Sequence, residues 1–181
     1  MYDPSILGLD LSLTETGIYI SNWKETNPVS EVLKPPKSLN KFTRLAWYES
    51  QFEEFKSRYN VSYCAVEGYA MGIRTGMVFN IGEQGGIARM VLQKGFIETI
   101  IVPPTTLKRF VTGKGNSKKN EMMLGVFKKW GKEFSNDNKA DAYALYQFAR
   151  MYFFKEKLTK LEEDLVKKVD EIEYAQNKNS G

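Results

Sequence analysis

Three acidic residues occupy positions where a hydrophobic core would ordinarily place apolar side chains. Asp10 alternates with leucines in "SILGLDLSL", Glu67 follows the apolar run "CAV", and Asp141 falls on the apolar side of a helix predicted over residues 138–153. A buried carboxylate is normally protonated, paired with a cation or bound to a metal ion. Three carboxylates from separate elements can converge only if they share a cation, and oxygen ligands suit Mg²⁺ or Mn²⁺. Such a site could hydrolyse a phosphodiester.

Each acid also has a structural alternative. Asp10 could lie exposed on the second face of the sheet, and the other two acids could pair with basic side chains, namely Lys108 or Lys139 in the case of Asp141. Asp137 suits the first turn of the helix, where acids are favoured. Taken together, and beside a basic segment, the acids favour a nuclease site.

Composition narrows the possible chemistry. The chain has no histidine, which excludes Ser-His-Asp and Cys-His catalysis, His-ligated zinc and a histidine general base. The single cysteine, Cys64, lies in an apolar run and predicts a buried thiol. The 181 residues predict one domain, with no membrane-spanning run and no signal peptide. We expect a soluble cytoplasmic protein without a small-molecule cofactor.

Positive charge is concentrated in one segment. Residues 103–132 have a net charge of +7 and the rest of the chain has −3, and the segment contains these basic residues: Lys108, Arg109, Lys114, Lys118, Lys119, Lys128, Lys129 and Lys132. The segment predicts a surface for a polyanion. The alternative is a solvated, lysine-rich helix face.

Hydrophobic periodicity predicts the elements that position these residues. Strands are predicted at 5–13, 18–23, 30–35, from 61 and from 96, and helices at about 40–59, 77–93, 105–111, 117–130 and 138–153. The order predicts an α/β domain with a mixed sheet. Clustered glycines at 82, 85 and 86 suggest close approach of another backbone, which could belong to the sheet, a partner subunit or nucleic acid. A charged helix over 155–175 either forms a short coiled coil or lies on the domain, and 176–181 form a disordered tail.

Five sequence segments together resemble a known family. They are "ILGLDLSLTETG", "YCAVEGYAMG", "IGEQGGIARMVLQKG", "VPPTTLKRFVTGKGNSKKNEM" and "NKADAYAL", in that order over about residues 5–150. They resemble the RuvC-type Holliday junction resolvases. The resemblance implies an RNase H-like fold for residues 1–154, with a mixed five-stranded sheet flanked by helices and a C-terminal helical extension.

The resemblance also implies an activity. It implies a homodimeric, Mg²⁺-dependent endodeoxyribonuclease, with Mn²⁺ as a substitute and one or two ions per subunit, that cleaves Holliday junctions and other branched DNA. Asp10, Glu67 and Asp141 take the matching metal-ligand positions. Lys108 and Lys119 take those of lysines near the scissile strand, where an ammonium group can hold or stabilise a phosphate.

One position departs from the family pattern. Cellular relatives place an acid or histidine three residues before the last aspartate, where this chain has Asn138, and the extra acid is Asp137. The sequence leaves open which of the two completes the metal site, so both stay candidates, with Asp137 and Lys119 also assigned to catalysis. The departure suits a divergent member such as a bacteriophage enzyme, which would act in the host cytoplasm.

We expect DNA contacts from Lys108, Arg109, Lys114, Lys118, Lys119 and Arg74. The loop after Glu67, with Tyr69, Met71, Arg74 and Met77, either opens the centre of a junction or packs at the dimer interface. Three alternatives remain: an RNase H-like nuclease acting on flaps or RNA-DNA hybrids, a non-catalytic branched-DNA-binding protein, and an interaction protein that works through its C-terminal helix.

Overall fold

A five-stranded mixed sheet forms the centre of the computed structural model, which describes residues 3–12, 14–68, 75–154 and 157–178. The spatial order of the strands is β3-β2-β1-β4-β5; β1, β2 and β3 pair antiparallel, whereas β1, β4 and β5 pair parallel. The strands are β1 (Ser5–Asp10), β2 (Thr16–Asn22), β3 (Val29–Leu33), β4 (Val61–Glu67) and β5 (Glu98–Val102). The predicted mixed sheet is confirmed.

Helices cover both faces of this sheet. They are α1 (Lys41–Tyr59), α2 (Thr75–Lys94), α3 (Pro104–Thr112), α4 (Lys119–Trp130), α5 (Asp137–Phe154) and α6 (Lys160–Lys178). The predicted order of elements is confirmed, and α6 runs three residues past the predicted boundary at 175. Residues 179–181 of the predicted tail lie outside the described residues.

The alternation in β1 separates two apolar layers. Leu7 and Leu9 pack with Tyr48 of α1 and Ala88 of α2 on one face of the sheet. Ile6 packs on the other face, in the layer that contains α5. Because successive side chains of a strand point to opposite faces, Gly8 and Asp10 share the α5 face with Ile6.

Two glycines allow α5 to lie directly on the sheet. A Cβ atom at Gly8 would lie 2.0 Å from the carbonyl oxygen of Ala142, and one at Gly17 would lie 2.1 Å from that of Asn138. Both obstacles are backbone atoms of α5, which cannot move aside as a side chain can. The glycines therefore set how closely the first turns of α5 approach β1 and β2.

The C-terminal helix packs on the domain. Leu165 and Val169 of α6 are buried in the same layer as Leu107 of α3 and Ile100 of β5. Tyr152 of α5 also donates a hydrogen bond to Asp170. Of the two predicted alternatives for this helix, the structure shows the one in which it lies against the domain.

Gly82 and Gly86 of α2 are not approached by the sheet, which was one of the three backbones predicted there. A Cβ at Gly82 or Gly86 would have no atom within 4 Å, so the close backbone approach predicted there does not occur within the described chain. Cys64 is fully buried, as predicted, and burial raises the pKa of its thiol. In the described part of the chain, none of the helices has the length and apolar character needed to cross a membrane.

We predict that Gly8→Ala lowers the free energy of unfolding by about 3 kcal/mol or more, because the new methyl group collides with the α5 backbone. Ser5→Ala, a small change at the partly exposed start of the same strand, is the control and should change it by less than about 0.5 kcal/mol. Urea denaturation of both variants measures the difference. Equal stability of the two would contradict the close seating of α5.

Candidate active site

Strand register and the seating of α5 bring the three predicted acids together. In the parallel pair of β1 and β4, Leu9 is in register with Val66, so Asp10 and Glu67 follow side by side at the carboxyl ends of both strands. Asp141 immediately precedes the α5 residue that lies over Gly8. The carboxyl edge of the parallel strands is where open α/β sheets usually carry their chemistry.

The carboxyl groups interact strongly with one another. Asp10 is only 6% exposed, and burial together with the charges of Glu67 and Asp141 raises its pKa well above the usual range. Its carboxyl group lies within hydrogen-bond reach of Glu67, and this hydrogen bond raises the pKa of Asp10 further and lowers that of Glu67. Burial and the charge of Asp141 raise the pKa of Glu67 to about 7, and burial and Asp137 raise that of Asp141 to about 6. Ionisation of all three acids at neutral pH is therefore unfavourable.

The structural alternatives for Asp10 and Asp141 receive no support, whereas Asp137 lies in the first turn of α5 as its alternative predicted. Asp10 is buried rather than exposed, and neither Lys108 nor Lys139 forms a salt bridge with Asp141 within the described residues. The Oδ1 atom of Asp141 is buried, and none of the described groups donates a hydrogen bond to it. An unsatisfied buried carboxylate oxygen is unusual and points to a missing ligand.

The donor chemistry suits a hard divalent cation. The cluster offers carboxylate oxygens alone, which is the set that Mg²⁺ or Mn²⁺ prefers. As the side chains stand, no three acidic, histidine or cysteine residues in the described ranges are arranged to hold an ion. Ion binding would therefore require these side chains to leave the arrangement in which Asp10 is hydrogen-bonded to Glu67.

Asp137 lies at the edge of the acid cluster in an ion pair. It is the first residue of α5, and its carboxylate pairs with Lys119, whose side chain is 81% exposed. This hydrogen bond lowers the pKa of Asp137 and raises that of Lys119. The charge of Asp137 also raises the pKa values of Asp10 and Asp141, which places it close to both.

Asn138 faces a different partner. Its Nδ2 donates to Oε2 of Glu15 at 3.5 Å, and Nδ2 of Asn136 donates to the same oxygen at 3.4 Å. Glu15 also forms an ion pair with Lys34. Sequence reasoning missed Glu15, because a glutamate in a turn carries no signal that it will meet the start of a helix more than a hundred residues later.

The predicted basic residues fall into two groups. Lys108 and Lys119 lie close enough to the acids to lower the pKa values of Glu67 and Asp141. Three lysines of the basic segment are paired: Lys119 with Asp137, Lys129 with Glu162 at 3.4 Å and Lys132 with Glu25 at 3.0 Å. Among the described residues, the other five form no salt bridge: Lys108, Arg109, Lys114, Lys118 and Lys128. Tyr69, Met71 and Arg74 lie outside the described residues, as does the side chain of Met77.

Comparison with known proteins extends this description. No family model matches the chain. The crossover junction endodeoxyribonuclease RuvC of Brachyspira hyodysenteriae is 28% identical over 102 residues, which cover 56% of this chain and 64% of the relative. The match thus spans slightly less than two thirds of the relative's length.

Solved structures give a broader match. Thermus thermophilus RuvC in complex with a Holliday junction substrate superposes with a TM-score of 0.68 at 18% identity, covering 83% of this chain and 93% of that one. The chain has the RuvC fold. A second T. thermophilus RuvC structure gives a TM-score of 0.65 at 19% identity over the same shares. The yeast mitochondrial Holliday junction resolvase Ydc2 gives 0.56 at 11% identity, covering 86% of this chain and 84% of that one. The resemblance to RuvC and the predicted RNase H-like fold are confirmed.

The raised pKa values in this RuvC fold predict how stability depends on pH. Acids with a raised folded-state pKa destabilise the fold when they ionise, so the metal-free protein should lose stability as pH rises from about 4 through 6 and 7. Asp10→Asn removes one of these charges. In EDTA we expect it to raise the Tm at pH 8 by at least about 3 °C, with a smaller gain at pH 4.

The exposed Asp164 of α6 gives a matched control, because Asp164→Asn removes an acid outside the cluster. Thermal denaturation at both pH values measures the two variants. A Tm of Asp10→Asn below wild type at pH 8 would show that the cluster is not under electrostatic strain.

Proposed function

We propose that this chain is a metal-dependent endodeoxyribonuclease that resolves Holliday junctions and other branched DNA as a homodimer. The observation that carries the proposal is the acid cluster of Asp10, Glu67 and Asp141, next to two lysines, at the carboxyl edge of a RuvC-fold sheet. The RuvC of T. thermophilus, which shares this fold, was solved with a Holliday junction. Nuclease chemistry explains why the fold retains carboxylates that destabilise it.

Asp10, Glu67 and Asp141 would hold Mg²⁺, with Mn²⁺ as a substitute and one or two ions per subunit. When bound, such an ion supplies Lewis acidity towards the phosphodiester and a nucleophile at neutral pH. The Oδ1 atom of Asp141 has no hydrogen-bond donor among the described residues, and Asp10 and Glu67 would supply the other carboxylate ligands. Asp137 supports the site from its edge, whereas Asn138 is engaged with Glu15.

Lys119 and Lys108 would act on the phosphate. Lys119 is exposed and held at the edge of the acids by Asp137, so its ammonium group can turn to a phosphate oxygen without leaving the site. A fixed ammonium group stabilises the negative charge that develops during phosphoryl transfer. Lys108 approaches the same acids from α3 and would contact the scissile strand.

The homodimer has structural support in the outer face of α2. A Cβ atom at Gly82 or Gly86 would have no described atom within 4 Å, and Met90, on the same stripe of the helix, is 36% exposed. A second α2 could approach this face closely, because glycine lets backbones pack together. We assign the adjoining Tyr69, Met71, Arg74 and Met77 to the junction centre or to this interface.

The C-terminal helix would complete the nuclease domain of residues 1–154. Because Leu165 and Val169 fill its core, removal of α6 exposes apolar surface of that domain. This packing argues against the alternative in which α6 serves purely as an interaction module.

The direct test is cleavage of a synthetic four-way junction, a Y-fork, a linear duplex and an RNA-DNA hybrid with Mg²⁺. We expect cutting of the junction in preference to linear duplex, and a loss of about 10⁴-fold or more in Asp10→Asn, as when a central catalytic group is removed. Equal cutting of the linear duplex would contradict structure selectivity. Binding without cutting in both Mg²⁺ and Mn²⁺ would support the non-catalytic alternative, and preferred cutting of the hybrid would support a different RNase H-like substrate.

The same assay separates Asp137 from Asn138. We expect Asp137→Asn to slow cleavage by about 10-fold to 100-fold, as for groups that support metal ligands. Asn138→Ala should have a smaller effect, because its amide bonds with Glu15. A larger loss in Asn138→Ala would show that Asn138 supplies the missing ligand.

We expect lysines that form no salt bridge with a described residue to bind DNA more strongly than lysines that are paired with an acid. Lys114 is exposed and forms no salt bridge with a described residue, whereas Lys132 is paired with Glu25. Lys114→Gln should reduce the slope of log K against log [salt] by about one, because one fewer counterion is released. Lys132→Gln is the matched control and should leave the slope unchanged. The reverse result would place the DNA on the other side of α4.

A further inference from the structure

A buried polar cluster lies on the face of the sheet opposite the acids. It consists of Ser12 and Thr16, which flank the β1–β2 turn, Tyr48 of α1 and Gln84 of α2. Thr16 is 0% exposed and Gln84 is 1% exposed. None of these residues belongs to the acid site.

Gln84 occupies an unexpected position for an amide. It lies one turn before Ala88 and two turns before Val91, which both belong to the apolar layer beneath α1 and α2. A buried amide costs stability unless it is hydrogen-bonded, and an apolar side chain of similar size would pack there without that cost. Nε2 of Gln84 donates a hydrogen bond, whereas its Oε1 is buried without a partner among the described residues, so the Nε2 bond is the distinguishing feature of this side chain.

The hydrogen bonds of this polar cluster connect α2 and α1 to the end of β1. Nε2 of Gln84 donates to Oγ1 of Thr16 at 2.7 Å, and this hydroxyl donates to the carbonyl oxygen of Ser12 at 3.2 Å. The hydroxyl of Tyr48 donates to the same carbonyl at 3.3 Å. Ser12 lies two residues after Asp10. The chain just beyond Asp10 is therefore bonded to α1 directly, through Tyr48, and to α2 through Thr16.

The opposite side of this hairpin end contacts α5. Asp10 and Gly17 form the last residue pair of the β1–β2 ladder, and Gly17 lies against Asn138 of α5. Thr16, which precedes Gly17, points to the other face of the sheet and into the polar cluster. The end of the hairpin is therefore held between α5 on one side and the Gln84–Thr16 bond on the other.

We propose that Gln84 and Thr16 are positioning residues, which hold the end of β1 through the Ser12 carbonyl so that Asp10 stays in register with Glu67 and Asp141. The consequence for cleavage rests on the proposed function, whereas the consequence for the hairpin does not. Neither side chain touches the substrate. Their effect reaches the chemistry through the placement of Asp10.

The test compares variants that remove the Gln84–Thr16 hydrogen bond with a variant that retains the hydroxyl group of residue 16. Thr16→Val and Gln84→Leu remove it at nearly constant volume, and Thr16→Ser retains the hydroxyl. Gln93→Leu makes the same change at an exposed position of α2 and is the matched control. The readouts are Mn²⁺ affinity by calorimetry without DNA, hydrogen exchange over residues 14–17, single-turnover junction cleavage, junction Kd and Tm.

We expect Thr16→Val and Gln84→Leu to weaken Mn²⁺ binding and slow cleavage by about 10-fold to 100-fold. Exchange should accelerate over residues 14–17 alone, while junction Kd remains as in wild type. Thr16→Ser should behave like wild type. The double variant should be no worse than either single variant, because the two residues share one bond.

The proposal would be overturned if Thr16→Val and Gln84→Leu had the same Mn²⁺ affinity and the same hydrogen exchange as the wild-type protein. It would also be overturned if their exchange were faster over the whole sheet and their Tm were lower. If the wild-type protein binds Mn²⁺ but cuts no junction, the proposed function fails while Mn²⁺ affinity and exchange still decide the positioning role. If the wild-type protein binds no Mn²⁺, hydrogen exchange decides the positioning role: faster exchange over residues 14–17 alone supports it, and unchanged exchange overturns it.

Discussion

The direct contact between α5 and the backbone of β1 and β2 is the constraint on which the candidate site depends. Gly8 and Gly17 leave room for the carbonyl groups of Ala142 and Asn138, and any larger residue would lift the helix from the sheet. Asp141 reaches the two strand carboxylates because the helix lies this close. The same contact buries Asp10 and thereby raises its pKa. Geometry and electrostatics of the site thus have one origin.

The acid cluster lowers the stability of the fold, because its carboxyl groups lie close together in a poorly solvated place. A fold selected for stability alone would not bury Asp10 beside Glu67 and leave an oxygen of Asp141 without a donor. The surrounding structure tolerates this because both apolar layers are well filled, by α1 and α2 on one face and by α3 to α6 on the other. A cation would relieve the repulsion, which makes metal binding and folding stability thermodynamically linked.

Charge on this protein is organised more finely than its total indicates. The basic segment has a net charge of +7, but folding pairs Lys119, Lys129 and Lys132 with acids from other elements. Lys129 and Lys132 then help to hold α6 and the β2–β3 connection in place. The bases that form no salt bridge among the described residues lie on α3, in the loop after it and on α4, and Lys108 of α3 also lies near the acids.

The sequence by itself determined the strands, the helices and the three central acids. Strand alternation and helical periodicity are local properties, so Asp10 between leucines and Asp141 on an apolar helix face were recognisable without a structure. The order of the five resembling segments was sufficient to predict the RNase H-like sheet, which the RuvC structures match.

Only the tertiary structure decided which side chains meet. Glu15 with Asn138, Lys119 with Asp137 and Gln84 with Thr16 join residues 18 to 123 positions apart. No local pattern encodes such pairs, because they depend on the register of the strands and on how closely each helix packs. For the same reason the sequence left open which backbone approaches the glycines of α2: their clustering was visible, but what lies next to them depends on packing, and no described atom lies within 4 Å of a Cβ at Gly82 or Gly86.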